Sequence, residues 1–261
     1  MVFKRLKSLF ATSPNNPKAL SGVATRDTIF APDTPFCAIG DIHGRLDLLK
    51  PLYERLRSTY GTDTPVVFLG DLVDRGPNTA GVLSYVQGLT EGDADHNITI
   101  MGNHEQMMLE FIDDPAGNGT RWLRFGGQET LQSFGIAADT TPDDAEDLVD
   151  LADEFEQAMP EGMISWMRNL PALWSTGNMY CVHAGMNPEV EPTAQKPRTL
   201  INGHPDFLTK ARSDRATVVH GHTVMEDAAI WDGRVSLDTG AYYTDKLTAA
   251  YIEPGNCTFI D

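Results

Sequence analysis

The sequence predicts an α/β fold, and two observations indicate it. Short apolar runs recur, each followed by glycine and a polar residue: Phe36–Ile39, Val66–Leu69 and Ile98–Met101. Between them, apolar residues repeat near the helical period of 3.6, at Leu46, Leu49, Leu52, Tyr53 and Leu56 and again at Val82, Leu83, Val86 and Leu89. Short apolar runs are typical of buried strands, and strands that alternate with helices predict a largely parallel sheet.

The second half of the chain predicts a further, mixed sheet. The apolar runs Met179–Val182 and Thr217–Val219 each lead into histidines. The runs Val235–Leu237 and Leu247–Ile252 have no helical pattern between them, so we expect antiparallel strands there. Residues 1–35 are predicted to form a flexible leader, because 11–35 are rich in Pro, Asn, Ser and Thr without periodicity. The folded domain is then 36–261.

Residues from about 106 to 170 are expected to form a helical insertion. The stretch from Asp139 to Glu161 carries ten Asp and Glu residues and no Lys or Arg, with Leu148, Leu151 and Phe155 along one edge. This pattern predicts an acidic amphipathic helix. Its charge could be an ordinary solvated face, or it could screen substrates, and the sequence leaves both possibilities open.

The composition restricts the class of protein. The 261 residues carry a formal net charge of −17, which argues against a duplex nucleic-acid partner because such binding requires Lys and Arg. No apolar stretch approaches the roughly 20 residues of a membrane span. Three widely spaced cysteines predict buried, reduced thiols and a cytoplasmic protein. The oligomeric state is not determined by the sequence.

The predicted strand ends present a set of residues suited to metal binding. In open α/β sheets functional groups collect at the carboxyl ends of strands. Carboxylate, amide and imidazole side chains together suit Mn²⁺, Fe or Zn²⁺. Six candidates exceed the needs of one catalytic metal, so we expect two ions about 3.5–4 Å apart. The candidates are Asp41, His43, Asp71, Asn103, His183 and His222.

Five motifs carry a resemblance to a known superfamily. They are GDIHG at 40–44, GDLVDRG at 70–76, GNHE at 102–105, HAG at 183–185 and GHT at 221–223. The set resembles the calcineurin-like metallophosphoesterases over about 36–252. The DRG after the second Asp narrows the resemblance to the phosphoprotein phosphatase branch. This branch includes bacterial and phage serine/threonine phosphatases and the related symmetrical diadenosine tetraphosphate hydrolases. The resemblance implies a four-layer αββα sandwich of two mixed sheets flanked by helices, with a helical cap insertion.

The resemblance also implies a role for each candidate. Asp41 and His43 would bind the first metal, Asp71 would bridge both, and Asn103, His183 and His222 would bind the second. The expected cofactors are two divalent ions, with Mn²⁺ preferred over Fe or Zn²⁺.

Other residues would contact the substrate. His104 would act as the general acid, and Asp74 would accept its hydrogen bond. Arg75 and Asn103 would bind substrate phosphate. The second phosphate-binding arginine is predicted at Arg212, with Arg215 as the alternative, because the surrounding segment 206–223 departs from the family pattern.

Three further aromatic or imidazole side chains have open roles. His220 could orient a metal ligand or simply pack in the sheet. Tyr242 and Tyr243 could contact substrate or pack in the core.

The predicted function is hydrolysis of phosphate monoesters by a hydroxide that bridges two metals. A phosphorylated protein or peptide, dephosphorylated at Ser, Thr or Tyr, is the first choice of substrate, because an acidic insertion favours peptides with basic flanks. The alternative enzyme is a symmetrical diadenosine tetraphosphate hydrolase. The alternative from another class is a regulatory module that binds metal without turnover.

Overall fold

A computed structural model describes residues 27–137 and 144–261, which form two five-stranded sheets. The first sheet has the spatial order β10 (Asn256–Ile260), β9 (Ala249–Glu253), β1 (Phe36–Ile39), β2 (Val66–Phe68) and β3 (Asn97–Thr99). The second has the order β4 (Leu173–Thr176), β5 (Met179–Val182), β6 (Thr217–His220), β8 (Arg234–Ser236) and β7 (Ala229–Trp231). Each sheet has two parallel and two antiparallel pairs of neighbouring strands, so the predicted pair of mixed sheets is confirmed.

Apolar side chains from both sheets pack face to face. Alternate residues of a strand point to opposite faces, so one face of each sheet supplies this layer. The buried residues of the layer are Phe36, Ala38, Val67, Leu69 and Ile100 from the first sheet and its strand ends, and Met179, Cys181, Val219, Val235 and Leu237 from the second. Burial of this shared layer holds the two sheets together.

Helices cover the outer faces and complete four layers. Helices α1 (Leu46–Tyr60) and α2 (Thr79–Gly92) pack against the first sheet through the apolar positions that the sequence predicted. The short helix α8 (Pro197–Asn202) and Phe207 cover the second sheet, where Leu200 packs with Val182 and Val218. The predicted αββα arrangement is therefore confirmed.

The chain between β3 and β4 is helical. It comprises α3 (Asn103–Asp113), α4 (Pro115–Trp122), a π-helical turn (Leu123–Gly127), α5 (Gln128–Ser133), α6 (Ala145–Ala158) and α7 (Met163–Arg168). The acidic helix is α6, and its apolar edge is buried at Leu148, Ala152 and Phe155. Asp139 and Asp143 of the acidic stretch lie outside the described residues.

The last two predicted strands lie in different sheets, whereas the sequence predicted both in the second sheet. Strand β8 lies in the second sheet, parallel to β6, whereas β9 lies in the first sheet, antiparallel to β1. The chain between them passes through the short helix α9 (Ala241–Thr244) instead of a hairpin turn. Residues 237–248 therefore cross from one sheet to the other.

Part of the predicted leader contacts the second sheet. The amide of Ala31 donates to Oδ1 of Asn178 at 2.9 Å, and Oγ1 of Thr217 donates to the carbonyl of Ile29 at 2.8 Å. Residues 1–26 of the leader lie outside the described residues. Within the described ranges, no helix combines the length and apolar character that crossing a membrane requires.

Candidate metal centre and active site

The loops after three strands hold their residues in an uncommon backbone conformation. Seven non-glycine residues in the described ranges have positive φ, and five of them are predicted site residues. Such conformations cost free energy and persist where surrounding contacts enforce them, often at functional sites. The five residues are His43 (46°), Asp71 (47°), Asp74 (72°), Arg75 (67°) and His222 (62°).

Two glycines let these loops approach closely. A Cβ at Gly221 would lie 1.9 Å from Oδ1 of Asp41, and a Cβ at Gly102 would lie 2.3 Å from Oδ1 of Asp71. A side chain at either position would therefore collide with a carboxylate. The GHT and GNHE motifs need glycine because it gives room for these carboxylates.

One group of ligand atoms gathers around Asp71, Asn103, His183 and His222. Nε2 of His183 lies 3.3 Å from Oδ1 of Asp71 and 2.9 Å from Oδ1 of Asn103. Nδ1 of His222 lies 2.7 Å from the same Asn103 oxygen. Because Nδ1 of His183 contacts the carbonyl of Leu69 at 2.8 Å, Nδ1 carries a proton and Nε2 is the ring nitrogen that faces Asp71. Lone pairs that converge in this way fit a cation.

A second group surrounds His43. Its Nδ1 lies 2.6 Å from the carbonyl of Val73, which leaves the Nε2 lone pair 3.6 Å from Oδ2 of Asp71. Asp71 belongs to both groups of candidate metal-binding side chains, one with His43 and His104 and the other with His183 and His222. Asp41 is held nearby, since its carboxylate accepts the amide of His222 at 3.0 Å.

The electrostatics of the site favour bound cations. Burial lowers the pKa of His43, and burial with the neighbouring His183 lowers the pKa of His222 to about 4, so both imidazoles are neutral as ligands must be. Burial alone would lower the pKa of His183 too, but Asp71 and Asp41 raise it to about 10. The field that holds a proton there also attracts a metal ion, so the donor set fits divalent metals.

His104 and Asp74 form a buried pair beside these groups. Nδ1 of His104 lies 2.6 Å from Oδ2 of Asp74. Burial lowers the pKa of His104, but Asp71 and Asp74 outweigh it and the net pKa is raised. The imidazolium is the form that a general acid needs.

Arg75 contacts both His43 and His104. Its Nη2 lies 2.9 Å from Nε2 of His104 and its Nη1 lies 3.1 Å from Nε2 of His43. The guanidinium also lies 5.0 Å from the ring centroid of Tyr242, a cation–π contact. Tyr242 therefore supports Arg75, whereas Tyr243 is 58% exposed.

The structure does not support Arg212 as a phosphate-binding residue. It is buried, and its guanidinium donates to Asp214 and to the carbonyls of Asn187 (2.9 Å) and Val190 (2.8 Å). These contacts stabilise the loop before β6. The alternative, Arg215, is exposed.

His220 lies away from the ligand atoms. Its ring packs edge-on against Phe207 (4.9 Å between ring centroids) and Trp231 (5.9 Å) on the outer face of the second sheet. This position favours the packing interpretation over a role in orienting a ligand.

Two acidic side chains in the site were missed by sequence reasoning. Glu105 is buried, and its carboxylate accepts the amides of Asp71 (2.8 Å), Leu72 (2.7 Å), Val73 (3.1 Å) and Gly102 (2.9 Å). It joins two of the metal-binding loops. Asp238 is also buried, and burial raises its pKa to about 6. The Glu of GNHE and the Asp of DTG were visible in the sequence, but their partners lie far along the chain.

Comparison with known proteins decides the family. A family model described as calcineurin-like phosphoesterase matches residues 34–252. The chain belongs to the calcineurin-like phosphoesterase family. The two mixed sheets and the groups of Asp and His agree with this assignment. The chain is therefore a metallophosphoesterase.

Several calcineurin-like phosphoesterases are similar to the chain. The asymmetrical bis(5'-nucleosyl)-tetraphosphatase PrpE of Bacillus subtilis strain 168 is 24% identical over 80% of this chain and 87% of its own. The symmetrical bis(5'-nucleosyl)-tetraphosphatase of Dechloromonas aromatica is 32% identical over 62% of this chain and 47% of its own. A crystal structure provisionally assigned as a diadenosine tetraphosphatase aligns with a TM-score of 0.60 at 19% identity, covering 90% of this chain and 97% of that one.

Proposed function

We propose that this phosphoesterase is a bis(5'-nucleosyl)-tetraphosphatase that cleaves a phosphoanhydride bond of diadenosine tetraphosphate with water. The observation that carries the proposal is similarity to PrpE, which has this named activity, along 80% of the chain. The shorter match to a symmetrical bis(5'-nucleosyl)-tetraphosphatase supports the same substrate class.

Asp41, His43, Asp71, Asn103, His183 and His222 would hold two divalent ions, which we take to be Mn²⁺. When bound, such ions supply a nucleophile at neutral pH and offset charge on phosphoryl oxygens. The protein's own residues do the rest. The fork of Arg75 fits two oxygens of one phosphate, as a lysine could not.

His104 and Asp74 would handle the proton. Nε2 of His104 faces the Arg75 guanidinium at 2.9 Å, so a phosphate bound by Arg75 would lie next to this nitrogen. As the bond from phosphorus to the leaving oxygen breaks, the Nε2–H bond breaks and the proton moves to that oxygen. Asp74, 2.6 Å from Nδ1, stabilises the charged imidazolium beforehand.

The acidic face of α6 points away from the site. The apolar edge of α6 packs inward, with Phe155 stacked 5.5 Å from Trp122, and Trp122 in turn donates to Asp74. The acidic residues of α6 lie on its exposed side, beyond this aromatic layer. The Trp122 layer separates the charge of α6 from Asp74, so this charge does not disfavour a nucleotide next to Asp74.

A phosphoprotein phosphatase remains the alternative, and the DRG motif is the feature that favours it. The deciding experiment compares kcat/KM of the Mn²⁺-loaded protein for diadenosine tetraphosphate and for phosphoserine, phosphothreonine and phosphotyrosine peptides with basic flanks. We expect the dinucleotide to be preferred by at least about 10-fold, a difference of about 1.4 kcal/mol in transition-state binding. Preference for a phosphopeptide would overturn the proposal.

Product analysis completes this experiment. Chromatography of the nucleotides distinguishes symmetrical cleavage to two ADP from asymmetrical cleavage to ATP and AMP. Asp71→Asn, assayed with the same substrates, controls for a contaminating hydrolase, because loss of a ligand shared by both groups should lower turnover of every substrate. Absence of metal-dependent turnover of any phosphate ester would instead favour a regulatory module.

A further inference from the structure

Asp74 receives hydrogen bonds from two residues of the helical insertion. Its side chain is fully buried. Nε1 of Trp122 lies 3.1 Å from both carboxylate oxygens, and Oγ1 of Thr130 donates to Oδ1 at 2.8 Å. The same carboxylate lies 2.6 Å from Nδ1 of His104 through Oδ2. Three donors thus fix the plane of the carboxylate that His104 contacts.

The insertion also fixes the backbone at this point. The amide of Asp74 donates to Oγ1 of Thr130 at 3.0 Å, and the amide of Arg75 donates to the carbonyl of Gly126 at 3.2 Å. Gly126 has a φ of 116°, and a Cβ there would lie 2.6 Å from the amide nitrogen of Arg75. The π-helical turn therefore lies directly against the DRG motif, and glycine permits this approach.

Aromatic packing around Trp122 fixes the direction of its indole N–H bond. The indole stacks on Phe111 (4.7 Å between ring centroids) and on Phe155 (5.5 Å), and it is fully buried. A donor that cannot move defines the orientation of its acceptor, whereas a mobile donor would follow it. A carboxylate that lost this donor could rotate about its Cβ–Cγ bond and shift the imidazole with it.

We infer that Trp122 and Thr130 are positioning residues that orient Asp74, and through Asp74 the imidazole of His104, for proton transfer to the leaving group. The inference rests on the proposed function in one respect, the role of His104 as general acid, and it applies to phosphate esters whose leaving oxygen must be protonated. The helical insertion is then part of the catalytic apparatus, in addition to covering the core.

The leaving group separates this role from a purely structural one. A weakened general acid slows esters whose leaving oxygen must be protonated, and it hardly affects those whose oxygen leaves as a stable anion. Loss of folded protein slows all substrates equally. Phenyl phosphate and p-nitrophenyl phosphate have similar shapes but differ in this requirement, so their ratio of kcat values reports on the acid.

The variants are Trp122→Phe, which removes the N–H and keeps a stacked ring, and Thr130→Val, which removes the hydroxyl at nearly constant shape. We expect kcat for phenyl phosphate to fall about 10-fold in each, with KM unchanged and kcat for p-nitrophenyl phosphate within about 2-fold. Thr130→Ser, which keeps the hydroxyl, should have a kcat for phenyl phosphate close to that of the unsubstituted protein. Trp166→Phe is the matched control, because Nε1 of Trp166 has no hydrogen-bond partner among the described residues.

Combining Trp122→Phe with His104→Asn tests whether Trp122 acts through His104. If Trp122 acts through His104, adding Trp122→Phe to His104→Asn should cause no further loss of phenyl phosphate turnover. Equal losses for both substrates, an additive double variant, or no loss in either single variant would overturn the inference.

A spectroscopic readout works even if turnover of every ester is absent, so failure of the proposed function stays distinguishable. The proton on Nδ1 of His104, in a 2.6 Å contact with Asp74, should give a strongly downfield NMR resonance. This resonance should shift in Trp122→Phe and Thr130→Val of the protein loaded with diamagnetic Zn²⁺ and stay in place in Trp166→Phe. An unshifted resonance in the first two variants would contradict the inference.

Discussion

Nδ1 of His104 lies 2.6 Å from Oδ2 of Asp74, and both side chains are buried next to Asp71. Burial opposes the imidazolium, but Asp71 and Asp74 raise the pKa of His104 above its usual value. Asp74 stabilises the charged form of His104, so kcat should fall as the pH rises through the pKa of this imidazole.

Asp74→Asn tests that explanation. Removing the Asp74 charge removes one of the contributions that raise the pKa, so the descending limb of kcat against pH should move to lower pH. The measurement is the pH profile with phenyl phosphate. Asp113→Asn, an exposed carboxylate paired with Arg168, is the control and should leave the profile unchanged. An unmoved limb in Asp74→Asn would contradict the pairing.

Glu105 should be a major source of stability. Its carboxylate accepts four backbone amides, and glutamine can accept at most two of them while its NH₂ group faces the others. Because buried donors without acceptors are costly, Glu105→Gln should lower the free energy of unfolding by about 2–4 kcal/mol. Denaturant unfolding measures this loss. Glu154→Gln, on the exposed face of α6, should cost less than about 0.5 kcal/mol. Equal stability of the two variants would refute this role.

Arg75 and Arg212 should respond differently to the same substitution. Arg75→Lys removes the fork that faces both histidines, so kcat/KM should fall by about 10- to 100-fold. Arg212→Lys removes contacts with Asp214 and two carbonyls, so it should lower stability and leave kcat/KM nearly unchanged. Steady-state kinetics beside thermal unfolding distinguishes them. A large loss of kcat/KM in Arg212→Lys would restore it as a phosphate-binding residue.

Asp71 and His104 should separate metal binding from turnover. Asp71 contributes to both groups of candidate ligands, so Asp71→Asn should lower the metal content of the purified protein. His104→Asn should keep its metals and lose turnover of phenyl phosphate by about 100-fold or more. Metal analysis of the same preparations used for kinetics measures both. Full activity in both variants would refute these assignments.

The sequence predicted most strands and the residues at their ends. Buried strands β1, β2, β5 and β6 are continuous apolar runs, and the loops that follow them must meet where the strands end. The local sequence pattern alone therefore predicted that His43, Asp71 and His183 lie close together. The short edge strands β4, β7 and β10 were missed, because their residues are partly exposed and give no apolar run.

The rest depended on contacts between distant parts of the chain. Trp122 and Thr130 lie 48 and 56 residues from Asp74, and nothing in their local pattern indicates a carboxylate partner. Arg212 was chosen by its position before β6, but its orientation follows from Asp214, two residues later. Sequence position constrains which loop a residue occupies, whereas its direction depends on tertiary packing.

The proposed function requires two metal ions in this site for hydrolysis. The most direct measurement removes metal with a chelator, titrates Mn²⁺ back and follows both bound metal and hydrolysis of diadenosine tetraphosphate. We expect that hydrolysis requires both ions, so turnover should disappear on chelation and return in full at two equivalents per chain. Turnover that survives complete removal of metal, or a fully loaded protein without activity, would contradict it.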